Sequence, residues 1–419
     1  AGSDTETDAA ALAAWPKTEL VPQHDGGDVL EWASCVGGNK LALCYLHDVC
    51  SDVRMLRLDD LSVAPRSLTL PAPGSIAAFA GRRRDSWLFF KFTSFLFPGS
   101  IFRLDFEQED KEGTGAGYGA VSEWYRTAVP GFDADAFVTT QEFATSKDGT
   151  KVPFFTVKAK PVAGEAVGPM PCLLYGYGGF NISISPYFSS LRLVWLQQLR
   201  GALVVANIRG GGEYGEEWHK AGALLKKQNC FDDFCAVGDH LVAAGTTTPK
   251  QLCIQGGSNG GLLVLACSLQ RPDLFAAGVS QVPVADMLRF HKFTIGHAWC
   301  TDYGNAEESE DDFKNLLAYS PLHNVKAPTE DAGPLPALLL TTGDHDDRVV
   351  PLHSFKMLAT LQAVAGASPV QVASGRPLIA RIETKAGHGA GKPTSKILDE
   401  YRDVYAFVAM HTGATWHED

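Results

Sequence analysis

No CxxC pair occurs among the nine cysteines, at positions 35, 44, 50, 172, 230, 235, 253, 267 and 300. That argues against a structural zinc site, and an odd count at irregular spacing gives no disulfide framework. Several cysteines sit inside apolar runs, as in Ala42-Leu43-Cys44-Tyr45, where a thiol behaves as a small hydrophobe. A reducing compartment fits that usage. Cationic excess is missing too: 36 basic residues face 48 acidic ones, a formal net charge of −12. Such a chain repels a polyanionic duplex, so nucleic acid is not an expected partner. No uninterrupted apolar run approaches the ~20 residues that cross a bilayer, so no membrane partner is expected. The opening stretch AGSDTETDAAALAAW is acidic and shows neither the basic region nor the apolar stretch of a signal peptide. The reading is a soluble protein, expected in the cytoplasm.

What is present is ordinary globular composition: 419 residues, 45% apolar and 20% charged, enough for two or three domains. One acidic run, Glu307, Glu308, Glu310, Asp311 and Asp312, reads as solvated surface, with a patch for basic substrates as the alternative. Up to about residue 130 the chain reads as short β-strands, such as Leu41–Leu46 and Val53–Leu58, separated by turn residues such as Gly37-Gly38-Asn39. A repeat lies inside this half. At an offset of 46 residues LALCYLH aligns with WLFFKFT, and Met55-Leu56-Arg57-Leu58-Asp59 with Ile101-Phe102-Arg103-Leu104-Asp105. A β-rich repeat of that period predicts four-stranded propeller blades, with stacked β-meanders as the alternative. Two blades cannot close a propeller, so the repeat implies further blades outside this chain.

From about residue 131 short apolar runs alternate with helical stretches. Pro171–Tyr175, Ala202–Asn207, Gln251–Ile254 and Ala337–Thr341 read as buried strands, and Phe231–Ala244 as an amphipathic helix between two of them. That alternation predicts an α/β fold, a mostly parallel, doubly wound sheet covered on both faces.

The strongest chemical signal is Gly256-Gly257-Ser258-Asn259-Gly260-Gly261, which contains G-x-S-x-G between a strand and a helical run. In a nucleophile elbow the flanking glycines relieve the crowding of a sharp turn, and the serine hydroxyl stands out from the sheet at a helix N-terminus. A serine needs a base held by a third group, in the chain order nucleophile, acid, histidine. Asp346, in Gly343-Asp344-His345-Asp346-Asp347-Arg348, follows the strand Ala337–Thr341; His388, in Gly387-His388-Gly389, follows the strand-like Leu378–Thr384. Both lie beyond strand ends, where catalytic groups of open α/β sheets gather. Three patterns compete and are set aside. Gly210–Gly215 matches G-x-G-x-x-G, but no acidic residue at the following strand end supports a dinucleotide site. Asp344–Asp347 lacks a second ligand cluster, so no metal is expected. His291 and His297, six residues apart in a helical-looking stretch, do not share a helix face.

With these residues assembled, the chain resembles the prolyl oligopeptidase family. The resemblance runs from about Leu20 onward and rests on YGYGGFN (175–181), NIRGGGEYG (207–215), KQNCFDDF (227–234), GGSNGG (256–261), IGHAW (295–299), DHDDRVVPLHS (344–354) and AGHGAGKP (386–393). It implies an α/β-hydrolase domain at 131–419, preceded at 1–130 by a partial β-propeller of about two blades, the family's propeller having seven. It implies cleavage of short peptides after proline, without cofactor or metal. Ser258, Asp346 and His388 would form the triad, and the Tyr177 hydroxyl with the Asn259 N–H the oxyanion hole. Trp299 would stack on the substrate proline, with Tyr303, Val284, Phe180 and Val349 lining that pocket. Arg348 would hydrogen-bond the substrate backbone. A rigid ring without an N–H suits flat aromatic and aliphatic walls. The expected partners are short proline-containing peptides and the absent propeller portion. Two alternatives stand beside hydrolysis: a peptide cyclase of the same family, and a catalytically inactive truncated fragment.

Overall fold

A computed structural model describes residues 18–23, 27–161, 168–389 and 391–418. The acidic opening stretch lies outside the described residues.

The first eight strands form two antiparallel meanders. β1 (Val29–Val36), β2 (Lys40–His47), β3 (Cys50–Arg57) and β4 (Arg66–Ser67) pair in chain order. So do β5 (Ser75–Ala80), β6 (Trp87–Thr93), β7 (Ser100–Asp105) and β8 (Ala120–Tyr125). The segments aligned by the repeat occupy equivalent places, β2 over β6 and the end of β3 over β7. The two sheets share a core: Val36, Ala42, Cys44, Val53 and Met55 meet Leu88, Phe90, Phe92 and Leu104.

The remaining strands make one eight-stranded sheet. They are β9 (Phe137–Thr145), β10 (Lys151–Ala159), β11 (Cys172–Tyr175), β12 (Ala202–Ala206), β13 (Leu252–Gly257), β14 (Ala277–Gln281), β15 (Ala337–Gly343) and β16 (Leu378–Glu383). Their order is β16-β15-β14-β13-β11-β12-β10-β9. The first six in that order run parallel; β10 joins β12 antiparallel and pairs with β9 as an edge hairpin. Alternate side chains explain why these strands are apolar throughout. Cys172, Leu174, Val204 and Ile254 point into one core, filled by the helices Gln228–Ala243 and Asn259–Gln270. Leu173, Leu203, Val205 and Cys253 point into the other, filled by Trp195, Leu196 and the helix Thr394–Thr412. All nine cysteines carry free thiols.

The blades dock on the sheet through the β2–β3 turn. Asp48 and Val49 both have positive φ, and Val49 is buried in the second core. The Tyr214 hydroxyl donates to Asp48 Oδ1 at 2.9 Å, and Gln141 Nε2 to the Asp48 carbonyl at 2.7 Å.

Candidate active site

β13 passes into its helix through a single residue, Ser258, with φ +59° and ψ −114°. L-residues rarely adopt this conformation. It is held from both sides: the Ser258 N–H donates to the Gln281 carbonyl at 2.8 Å, and its carbonyl accepts from Gly261 and Leu262 at 2.9 and 3.2 Å. A Cβ on Gly256 would sit 2.4 Å from the Gly260 carbonyl oxygen, and one on Gly260 would sit 2.6 Å from that of Gly176. Only glycine fits either place, for the steric reason expected.

The acid and the histidine lie on two loops that cross. Gly343 ends β15, and a Cβ there would approach the Ala386 carbonyl oxygen to 2.3 Å. His345 donates its N–H to that same carbonyl at 3.0 Å. Asp346, buried, accepts from the N–H groups of Arg348 and Val349 at 3.0 and 2.9 Å through Oδ1. Its Oδ2 lies 2.7 Å from His388 Nδ1. With Nδ1 engaged, Nε2 makes no hydrogen bond among the described residues. His388 and Gly257 line one cleft of about 260 Å³. No hydrogen bond joins Ser258 Oγ to His388 among the described residues; such contacts are often long without substrate and tighten when it binds. Beside this cleft Glu400 accepts from Gln281 Nε2 at 3.4 Å and Thr341 Oγ1 at 3.5 Å, and pairs with Lys392 Nζ. The helix Thr394–Thr412 is thereby tied to β14, β15 and the histidine loop.

Tyr177 follows β11, half-buried. Burial, followed by the nearby Asp302 carboxylate, pushes its phenol up to about 12, so it stays a proton donor at ordinary pH. Asn259 opens the helix, where backbone N–H groups lack intrahelical acceptors. Its side chain does separate work: Nδ2 donates to the Tyr177 carbonyl at 2.5 Å, and Oδ1 accepts from the Tyr303 hydroxyl at 2.9 Å.

The residues expected around a proline ring come together. Val284, Val349 and Tyr303 are buried in one apolar cluster, with Phe180 and Trp299 packed against it. Phe180 meets Tyr303 edge-on at 5.3 Å. Trp299, half-buried, lies parallel to Phe290 at 6.3 Å, and Phe290 in turn meets Tyr303 edge-on at 5.2 Å. Arg348 is exposed beside Asp346. Sequence reasoning missed Phe290, which looks there like any core aromatic. It also missed buried Lys227 and Asp302, which stand beneath the Tyr177 loop. His291 and His297 lie not on one helix but on two 3₁₀ turns, Phe290–Lys292 and Gly296–Trp299, separated at Thr294 with φ +41°.

A sequence profile described as the prolyl oligopeptidase family matches residues 186–415. The chain belongs to that family. A second profile, the N-terminal β-propeller domain of prolyl oligopeptidase, matches residues 5–114. The prolyl endopeptidase of Elizabethkingia miricola is 40% identical over 377 residues, 90% of this chain and 50% of the relative. A dual-function macrocyclase-peptidase of Galerina marginata is 40% identical over 399 residues, 94% and 51% of the two chains. Among solved structures, prolyl oligopeptidase B from Galerina marginata, bound to a 35mer hydrolysis and macrocyclization substrate, matches with TM-score 0.85 at 35% identity. That match covers 96% of this chain and 52% of the other. The chain spans about half the length of the curated relatives it matches. Its fold is that of the prolyl oligopeptidase family, an α/β-hydrolase with a propeller that is partial here.

Proposed function

We propose that the protein is a serine endopeptidase that cleaves short peptides on the C-terminal side of proline. The observation that carries this reading is the Asp346–His388 hydrogen bond at 2.7 Å, set beside the elbow that presents Ser258. Ser258 attacks the carbonyl after proline, His388 takes its proton, and Asp346 holds the imidazole tautomer. Tyr177 and the Asn259 N–H receive the developing oxyanion, and Trp299, Phe180, Tyr303, Val284 and Val349 receive the ring. His388 then protonates the leaving amine, and water releases the acyl-enzyme. No step calls for a cofactor. Arg348, exposed beside the acid, is free to meet substrate backbone. We place the boundary between blades and hydrolase near residue 130 and the protein in the cytoplasm; among the described residues no helix is long and apolar enough to cross a membrane.

The test is turnover of a chromogenic peptide ending in proline, alongside labelling by a fluorophosphonate. Ser258→Ala should abolish both while leaving the circular dichroism spectrum unchanged. Retained turnover would remove Ser258 from its role, and an unreactive wild-type protein would favour an inactive fragment. A second reading, transfer of the acyl group to an amine to close a ring, is supported by the similarity to the macrocyclase-peptidase. Mass spectrometry of the products separates ring from linear peptide.

A further inference from the structure

The loop that carries Tyr177 is built from conformations that do not sustain themselves. Gly178, Phe180 and Asn181 have φ of +66°, +58° and +57°. For a bulky residue such as Phe this conformation is strained and persists only where its surroundings over-determine it. Tyr177 Oη makes no hydrogen bond among the described residues, so its direction is inherited from the backbone beneath it.

That backbone rests on buried charge. Asp302 Oδ1 accepts from the Phe180 N–H at 3.0 Å and meets His219 Nε2 at 2.7 Å. Lys227 Nζ donates to the Gly178 carbonyl at 2.8 Å, lies 3.5 Å from Asp302 Oδ2 and stands 5.2 Å from the Tyr303 ring centroid. Lys227 and Asp302 are 1% and 2% exposed. A buried ion pair rarely adds net stability over an apolar replacement, but it fixes geometry when its remaining hydrogen bonds are satisfied. Here the satisfied partners include both ends of the Gly178–Phe180 turn. We infer that Asp302 is a positioning residue of the oxyanion loop: held by Lys227 and His219, it locks the Gly178–Phe180 backbone so that the Tyr177 hydroxyl faces the reacting carbonyl. This rests on the reading of Tyr177 as an oxyanion donor.

The experiment is a kinetic cycle of Asp302→Asn and Tyr177→Phe in the full-length protein, with the proline-ending chromogenic substrate. Asp302→Asn should lower kcat about 10-fold while KM moves less than about 3-fold, the scale expected of a small displacement of a catalytic group. In the Tyr177→Phe background the same change should cost less than about 2-fold, because the group it positions is gone. Equal losses in both backgrounds, or a lowered melting temperature with unchanged kcat, would overturn the proposal. Unchanged kcat in Tyr177→Phe alone, with Ser258→Ala inactive, would remove the oxyanion assignment and this role with it. Should Asp302→Asn fail to fold, the partly exposed His219 takes its place. His219→Ala should lower kcat in the same Tyr177-dependent way, and His219→Gln, whose amide can still donate to Asp302, should restore it. Equal kcat in the two His219 variants and wild type would overturn the role.

Discussion

The blades and the hydrolase differ in what covers their strands. In the hydrolase β12 and β15 are buried along their whole length, each face feeding its own core, with Leu338 and Leu340 of β15 in a third cluster around Met357 and Leu361. In the blades the central strands are buried, yet the outer ones stand open: Trp124 and Tyr125 on β8 are 61% and 59% exposed, and Leu30 on β1 is 50% exposed. A parallel sheet brings its cover with it, because each crossover lays a helix on a face. A meander brings none, and its flanks wait for other strands or another layer. The precision of the site therefore belongs to the self-covered region, while the blades depend on their neighbours.

That contrast can be sharpened in order of expected effect. Phe154→Ala opens a cavity between β10 and the helical layer and should cost about 3–5 kcal/mol. In denaturant it should move the midpoint at which Ser258 labelling is lost. Leu88→Ala, in the core shared by the blades, should destabilise the blade signal yet leave that midpoint within about 0.5 kcal/mol; a common shift would mean the regions unfold as one. Gly256→Ala places a methyl against backbone that cannot yield and should slow labelling by about 100-fold. A loss below about 10-fold would show the elbow to be tolerant.

A smaller effect concerns Glu213, buried on the loop after β12. Its Oε1 accepts from the Ile184 N–H at 3.0 Å, while Oε2 accepts no hydrogen bond among the described residues. Burial pushes its carboxyl up to about 7 from an ordinary 4.5. The folded form then keeps a proton that the unfolded chain gives up, so stability falls as pH rises between those values and levels off above them. Glu213→Gln should flatten this slope and raise stability at pH 8 by about 1–3 kcal/mol, read by urea denaturation across pH. Smallest is Trp124→Ser, expected to change stability by about 0.5 kcal/mol or less in this chain. A larger loss would mean that β8 is covered after all.

The blades were legible because both copies keep the same alternation at a fixed offset, and the parallel sheet because its strands are apolar throughout. The elbow was legible because steric crowding permits so few residues there. The β9–β10 hairpin was not: β9 lies at the sheet edge and carries Thr139, Thr140, Gln141 and Glu142 in a row, without the apolar run that marks the buried strands. Nor were Lys227 and Asp302, since charges look alike in sequence whether solvated or paired, and these two stand 75 residues apart. The acidic run read as solvated surface is more local than that. Ser309 caps the helix Glu310–Tyr319 by accepting from the Asp312 N–H, and Glu307 pairs with Lys292. Serine followed three residues later by an acid was there to be read as a helix start.

The grip of Glu400 on β14, β15 and Lys392 sets a schedule for the newborn chain. Translation proceeds at about 5–20 residues per second, so His388 is made on the order of ten seconds after Ser258, and Glu400 later still. On the proposed reading, Ser258 lacks its base throughout that interval. On the same reading, the helix that braces the histidine loop must emerge and dock before His388 can serve Ser258, so a half-made chain is expected to be inert toward the peptides around it.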